Sequence, residues 1–392
     1  MAELAVVVGA GVQPGQVVRI SADVEHADLV SSVADVAYRH GAAFVEVDLA
    51  DIRVRRSQIL HATGDLQARV PAWTEAAIRE LDAIGGARIM IHGPGVSDLF
   101  DGLDPARVRQ SQLPRSQAWR EVEYRVNNTM IPGPTQAWAC ALHPDLSAEE
   151  ALAKLWHQIE VMCRLDQPDP VRAWRHRFAE LRRRAAALNA LGLDAIRLHG
   201  PGTDVLIGLI PTARWEPPTN VNERGIEHAW NLPSEEIYTS PDPARVDGHV
   251  QLTRPAVVGG HLVRDVSLTL RAGEVVEVAG AEGADALQAF IARDAGTRRL
   301  GELALVDGDS AVGTVGQTFG MIMLDENAAS HIALGFGFPE LVDPAGRHRV
   351  NRSGDHLDVT IGSDQLQVIG IDPSGREQLL LHAGRWHFPA SG

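Results

Sequence analysis

Ala5-Val6-Val7-Val8-Gly9-Ala10-Gly11, followed after Pro14-Gly15 by Gln16-Val17-Val18-Arg19-Ile20-Ser21, is the stretch on which the fold turns. An apolar run into closely spaced glycines imitates a dinucleotide fingerprint, but that motif must run strand, glycine turn, helix. Here Pro14-Gly15 makes a turn, and the segment beyond it has the β-branched content of a strand. The spacing therefore predicts a short helix ending at the glycines and a first strand at Gln16–Ser21, with no dinucleotide site. Working outward, the pattern gives a helix over His26–His40, a strand over Ala43–Asp48, a helix over Ala72–Ala83 and a strand over Ala87–His92. Strands alternating with helices imply a mostly parallel sheet covered on both faces.

The chain has 392 residues, enough to bury a large core in two domains, and its 45% hydrophobic and 22% charged residues are those of a globular protein. A formal charge of −15 argues against nucleic acid or an anionic membrane as partner. No apolar run reaches the ~18 residues that a membrane helix needs. Cys140 and Cys163 are too few for a disulfide framework, and the N-terminus has no basic region before its apolar start; a reducing cytoplasm is expected.

His92-Gly93-Pro94-Gly95 recurs as His199-Gly200-Pro201-Gly202, each copy ending a strand, which is turn chemistry. Ala118–Thr129 reads as a charged helix broken at Pro132-Gly133-Pro134. Ser147 with Glu150 forms a capping-box pattern ahead of the helix Ala148–Cys163, and Asp169 caps another over Val171–Leu191, whose basic Arg182, Arg183 and Arg184 read as a solvated face. From Asp194 the pattern shifts to strands at Ala195–Leu198, Asp204–Ile210, Val250–Thr253, His261–Leu270 and Glu274–Gly280. The expected organisation is an N-terminal α/β domain over 1–193 and a β-rich α+β domain over 194–392.

Chemistry gathers in that second domain. Leu324-Asp325-Glu326-Asn327-Ala328-Ala329-Ser330-His331 places acids, an amide and an imidazole together, the ligand mixture that divalent metals favour. On one helix, residues five apart sit about 140° around the axis. Glu326 and His331 would share an ion only if the helix starts between them, whereas Asn327 and His331 would share a face. Asn231-Leu232-Pro233-Ser234-Glu235-Glu236 ends in two acids, and Gly301-Glu302-Leu303-Ala304-Leu305-Val306 puts one acid at the mouth of an apolar strand. An acid in such a place must be paired or metal-bound. In Asn351–Gly362 a strand period puts His356 and Asp358 on one face. Each fragment alone has a plain structural explanation; together they point to a metal centre.

In order and spacing, these fragments resemble the thermophilic metalloprotease family, the aminopeptidase T and aminopeptidase S type of metalloaminopeptidase. Similar motifs fall upstream at Gln136-Ala137-Trp138-Ala139, Leu155-Trp156, Asp169-Pro170 with Trp174, and Gly202-Thr203-Asp204-Val205, so the resemblance covers nearly the whole chain. It implies Glu236, Glu302, Glu326, His331, His356 and Asp358 as metal ligands, with Glu302 bridging two ions and Glu302 and Glu326 the catalytic acids. It further implies a homodimer whose sites face an enclosed cavity open to small peptides. Four carboxylates and two imidazoles suit two divalent ions (zinc, cobalt, manganese or magnesium) about 4 Å apart, activating a bridging water. The chain departs from the family at Phe338, where a tyrosine is usual, and Tyr238 would supply a hydroxyl if its segment is extended. Two alternatives belong beside the peptidase. His331, His356 and Asp358 alone match the facial triad of a mononuclear Fe(II) oxygenase similar to dihydroxypyridine dioxygenases, against which the three further acids weigh; the other is a non-catalytic homologue.

Overall fold

The computed structural model describes residues 1–62, 70–94, 99, 102–104, 107–108, 113–122 and 124–389. Its contacts divide the chain into two units, residues 1–175 with 219–233, and residues 176–218 with 234–389.

In the first unit, Leu4–Gly9 coils into a short π-helix closed by the Ala10 amide on the Ala5 carbonyl at 2.8 Å. Gly15 turns the chain at φ +85°, and strand β1 (Val17–Asp23) begins. The fingerprint-like glycines thus precede the first strand. Strands β2 (Phe44–Ala50), β3 (Ala87–His92) and β4 (Asn127–Pro132) join it in the order β2-β1-β3-β4, all parallel. Val18, Ile20 and Ile89 are fully buried. The helices Ala27–Arg39 and Ala72–Ala83 bury Val30, Val33 and Ala37, and Ile78 and Leu81, at helical spacing. Ser147 and Glu150 close their capping box. A two-stranded ribbon, β7 (Thr219–Val221) with β8 (Glu227–Ala229), completes the unit.

One expectation fails here. Among the described residues of that span, helix reaches Arg120 as the end of Leu113–Arg120, and Asn127–Pro132 is a strand. Thr129 and Ile131 are β-branched and fully buried, and Pro132 is tolerated at the end of an outermost strand. Pairing with β3 outweighs the charged, helix-like pattern upstream. A helix over Ile52–His61, capped by Asp51, carried no apolar period to announce it. Of the two His-Gly-Pro-Gly turns, Gly202 sits at φ +69° in a hairpin, while Gly95 lies outside the described residues.

The second unit is antiparallel. Its larger sheet runs β11 (Ala256–Val258), β12 (His261–Arg271), β10 (Pro241–Gln251), β6 (Thr203–Leu209), β5 (Ala195–Gly200), β17 (Gln367–Ile371), β18 (Glu377–His382) and β19 (Arg385–Trp386), with β13 (Glu274–Glu282) on β12. The smaller sheet has the order β16 (His356–Thr360), β15 (His331–Gly335), β14 (Leu300–Val306) and β9 (Glu236–Thr239). Strand β14 is buried throughout, so its acid faces no bulk solvent.

A buried ion cluster ties the ends of β9 and β14. Arg177, from the helix Pro170–Leu191, donates to Glu235 at 2.6 Å and to Asp307 at 2.7 Å, and the Trp386 indole also donates to Asp307 at 2.7 Å. Removing one partner from a buried cluster strands the others, at about 3–5 kcal/mol. Arg177→Met is therefore expected to lower unfolding free energy by that order, read from urea unfolding curves; a loss under about 1 kcal/mol would put the cluster in the range of exposed pairs.

Candidate metal centre

The strand registers bring the acids and imidazoles onto one face of the small sheet. Glu302 lies opposite Ala333, and Ala333 opposite Asp358; Gly335 lies opposite His356; Ala304 lies opposite His331 and Tyr238; Val306 lies opposite Glu236. Alternation along each strand turns Ile237, Leu303, Leu305, Ile332 and Leu357 to the apolar face. Ala304, Ala333 and Gly335, which stand between the polar groups, carry a methyl or no side chain. A bulge separates Leu300 from Glu302. At Gly301 a Cβ would lie 2.1 Å from the Phe336 carbonyl oxygen, so only glycine admits that close approach.

The chain between Glu326 and His331 runs differently from expectation. The helix Ile322–Asp325 ends in a 3-10 turn over Glu326–Ala328, Ala329 is extended, and His331 opens β15. The helix thus ends between the two residues, and Asn327 shares no helical face with His331. Asn327 instead accepts from the Glu235 amide at 2.5 Å and donates to the Met323 carbonyl and to Glu326. Asp325 accepts from the Phe319 and Met321 amides, and burial pushes its carboxyl up to about 6.

Two triads of donor atoms result, Glu236–Glu302–His331 and Glu302–His356–Asp358, each with its atoms within 4.8 Å of one another. Glu302 belongs to both. Glu326 belongs to neither, but it lies near enough to be charge-coupled to Glu236, Asp358 and Glu302. The His356 Nδ1 faces the Phe336 carbonyl oxygen at 2.8 Å and the His331 Nδ1 faces that of Ala329 at 3.3 Å. These carbonyls select the Nδ1–H tautomer and leave each Nε2 as the free lone pair. Those nitrogens face carboxylate oxygens: His331 meets Glu236 at 3.3 Å, and His356 meets Glu302 at 3.1 Å and Asp358 at 3.3 Å. Lone pairs directed at anions need a proton or a cation between them.

The electrostatics carry the same demand. Burial, then the charges of Glu302 and Asp358, hold the Glu236 carboxyl well above the usual range, and burial with the neighbouring acids does the same to Glu326. Burial presses the His356 imidazole down, but Asp358 and Glu302 outweigh it and raise it well above its ordinary value. Burial presses Asp358 up, and His356 outweighs that to lower it. Burial and the charges of Glu302 and Glu236 keep the Tyr238 phenol protonated. The Glu236 Oε2 atom is buried and makes no hydrogen bond, with His331 Nε2 3.3 Å away. A buried carboxylate oxygen with no hydrogen bond, amid hard oxygen donors and neutral imidazoles, fits divalent cations.

A buried carboxylate–imidazole centre on an antiparallel sheet, in a chain that also carries a parallel α/β sheet, has the makeup of a metal-dependent hydrolase. The family model described as thermophilic metalloprotease (M29) matches residues 1–386, and the chain belongs to that family. It is 34% identical over 397 residues to aminopeptidase T of Thermus thermophilus, covering 98% of this chain and 97% of that protein. It is 32% identical over 399 residues to aminopeptidase PepS of Streptococcus thermophilus, covering 98% of this chain and 96% of the relative. The solved structure of wild-type AmpT from Thermus thermophilus superposes with a TM-score of 0.91 at 34% identity, over 99% of this chain and 98% of that one.

The raised groups fix a sign. The folded, metal-free chain keeps protons on Glu236 and Glu326 above pH 4.5, and on His356 above pH 6.5, where the unfolded chain has lost them. Stability therefore falls as pH rises through that window, while the contribution of Asp358 is complete above its ordinary 3.8. The melting temperature of metal-free protein is expected to drop between about pH 5 and pH 8, and added Zn(II) or Co(II) to restore most at the alkaline end. Scanning calorimetry checks this; a flat metal-free profile would contradict it.

Proposed function

We propose that the chain is a metal-dependent aminopeptidase that hydrolyses the N-terminal peptide bond of small peptides. Glu236, Glu302, Glu326, His331, His356 and Asp358 would hold two divalent ions, with Glu302 shared between them. The observation that carries this reading is the pair of donor triads meeting at Glu302, with the buried Glu236 Oε2 atom making no hydrogen bond. When bound, the ions would polarise the scissile carbonyl and lower the pKa of a bridging water. The Phe336 and Ala329 carbonyls keep the His356 and His331 rings in the tautomer that presents Nε2. Glu326, whose carboxyl is raised, is suited to take a proton from the attacking water and return it to the leaving amine. The acid-rich surround suits the cationic α-amine of a free N-terminus, which distinguishes an exopeptidase from an endopeptidase.

The catalytic centre lies within residues 194–392, taken as a C-terminal catalytic domain. A homodimer and a reducing cytoplasm complete the proposal; the aminopeptidase names of the relatives support the activity, and the free thiols of Cys140 and Cys163 suit that compartment. No helix among the described residues is long and apolar enough to cross a membrane.

Metal analysis with turnover of aminoacyl chromogenic substrates tests the reading. Two ions per chain with hydrolysis are expected. Glu302→Gln and His331→Ala are each expected to lower bound metal and to cut kcat/KM by about 10³ or more, since each removes an atom from a triad. One Fe(II) per chain with dioxygen uptake would instead favour ring-cleaving oxygenation, and undiminished turnover by metal-free Glu302→Gln would remove the proposed roles.

A further inference from the structure

Hydrolysis of an amide turns a neutral carbonyl oxygen into an oxyanion, which an N–H or O–H donor stabilises. With their carboxylate oxygens and Nε2 atoms given to metal, the six polar residues of the centre offer no such donor. The carboxylates accept only when ionised, and each imidazole turns its Nδ1 to a backbone carbonyl. A donor has to come from the walls.

One wall is aromatic. The Phe336 ring lies 4.5 Å from that of His356, Phe338 lies 5.7 Å from the same imidazole, and Tyr238 meets Phe338 edge-on with centroids 5.3 Å apart. Of these three aromatic rings only Tyr238 carries a hydroxyl. Its strand is extended, so Tyr238 shares a face with Glu236, while Ile237 and Thr239 turn into the core. Across the sheet Tyr238 stands opposite Ala304, which stands opposite His331. The residue between Tyr238 and His331 is thus Ala304, whose side chain is only a methyl. The Tyr238 main chain is fixed from the other side by paired hydrogen bonds with Glu216, at 2.9 and 3.1 Å. The Phe338 amide is fixed by the Ser240 hydroxyl at 2.7 Å. Among the described residues the Tyr238 hydroxyl makes no hydrogen bond, and the side chain is half-buried. A rigidly mounted phenol with an unengaged hydroxyl beside a metal centre is a donor awaiting substrate.

We propose that Tyr238 is a catalytic residue of the hydrolysis, its hydroxyl donating a hydrogen bond to the oxyanion of the tetrahedral intermediate; this rests on the aminopeptidase reading above. Water oxygen adds to the carbonyl carbon, and the carbonyl π pair moves to its oxygen, where the Tyr238 O–H donates while keeping its proton. Collapse re-forms the carbonyl and breaks the C–N bond, and the proton lost by water leaves on the amine. Phe338, the ring next to it on this wall, carries no hydroxyl and leaves this task to its neighbour.

The test uses the metal-loaded full chain with Tyr238→Phe, Phe338→Tyr and the double variant. Metal content, aminoacyl turnover, and calorimetric binding of leucine and of its tetrahedral phosphonic acid analogue are measured for each. Tyr238→Phe is expected to retain metal and leucine affinity, to lose about 10²–10³ in kcat, and to bind the tetrahedral analogue weaker by a comparable factor. Phe338→Tyr is expected to recover part of both losses in the double variant. Unchanged kcat and analogue affinity in Tyr238→Phe would overturn the assignment, as would losses that track loss of metal. A wild-type chain that neither turns over aminoacyl substrates nor binds the analogue would overturn the aminopeptidase reading itself, and the role of Tyr238 with it.

Discussion

Three carboxylates on one sheet face and a fourth, Glu326, on the turn beside it repel one another, and the fold answers them with only two imidazoles. The contrast with their neighbours is instructive. Glu235 adjoins Glu236 and Asp307 adjoins Val306, yet both are paired with the single guanidinium of Arg177. Glu236, Glu302 and Asp358 face the imidazoles of His331 and His356 rather than a guanidinium. Burial without compensation is among the costliest things a protein can do with a charge. Protons on Glu236, Glu326 and His356 relieve the repulsion in part, whereas two divalent cations with neutral imidazoles leave the centre formally neutral.

The sheet keeps those groups from separating. Side chains on short, fully paired strands are aimed by register, and register here is fixed by buried Leu303, Leu305 and Ile332 on the opposite face. Gly301 adds a local device. Without a Cβ it lets the Phe336 carbonyl approach, and that same carbonyl orients the His356 ring. A single glycine therefore links the bulge that aims Glu302 to the tautomer of its partner.

Much of this was legible in the chain because its patterns are local. The boundaries of Ala72–Ala83 and Ala87–His92 follow from periodicity alone, and the pairing of His356 with Asp358 follows from strand alternation. What was not legible depended on distant partners. Asn127–Pro132 becomes a strand because β3 offers it a buried edge. The chain between Glu326 and His331 leaves its helix because Ser330 is claimed from elsewhere: its hydroxyl accepts from the Val306 amide, and its carbonyl from Ile361 and Gly362. Arg177 gave no signal, being one arginine among several on a helix whose other basic residues read as solvated. Beyond Glu180 on its own helix, it is the two acids 58 and 130 residues away that reveal its role.

These features imply a division of labour between stability and function. A flexible scaffold would let the acids of a metal-free centre drift apart and lose their repulsion. Paired strands anchored by Arg177 at one end and by the Phe336 carbonyl at the other hold them in place, so the repulsion persists until cations arrive. Unfavourable energy retained in the metal-free fold returns as binding energy when metal enters, because binding and folding draw on the same free energy. The Arg177 cluster thus acts one residue away from the centre it never enters. It gives the fold enough stability to carry four acids that a less firmly tied sheet would expel.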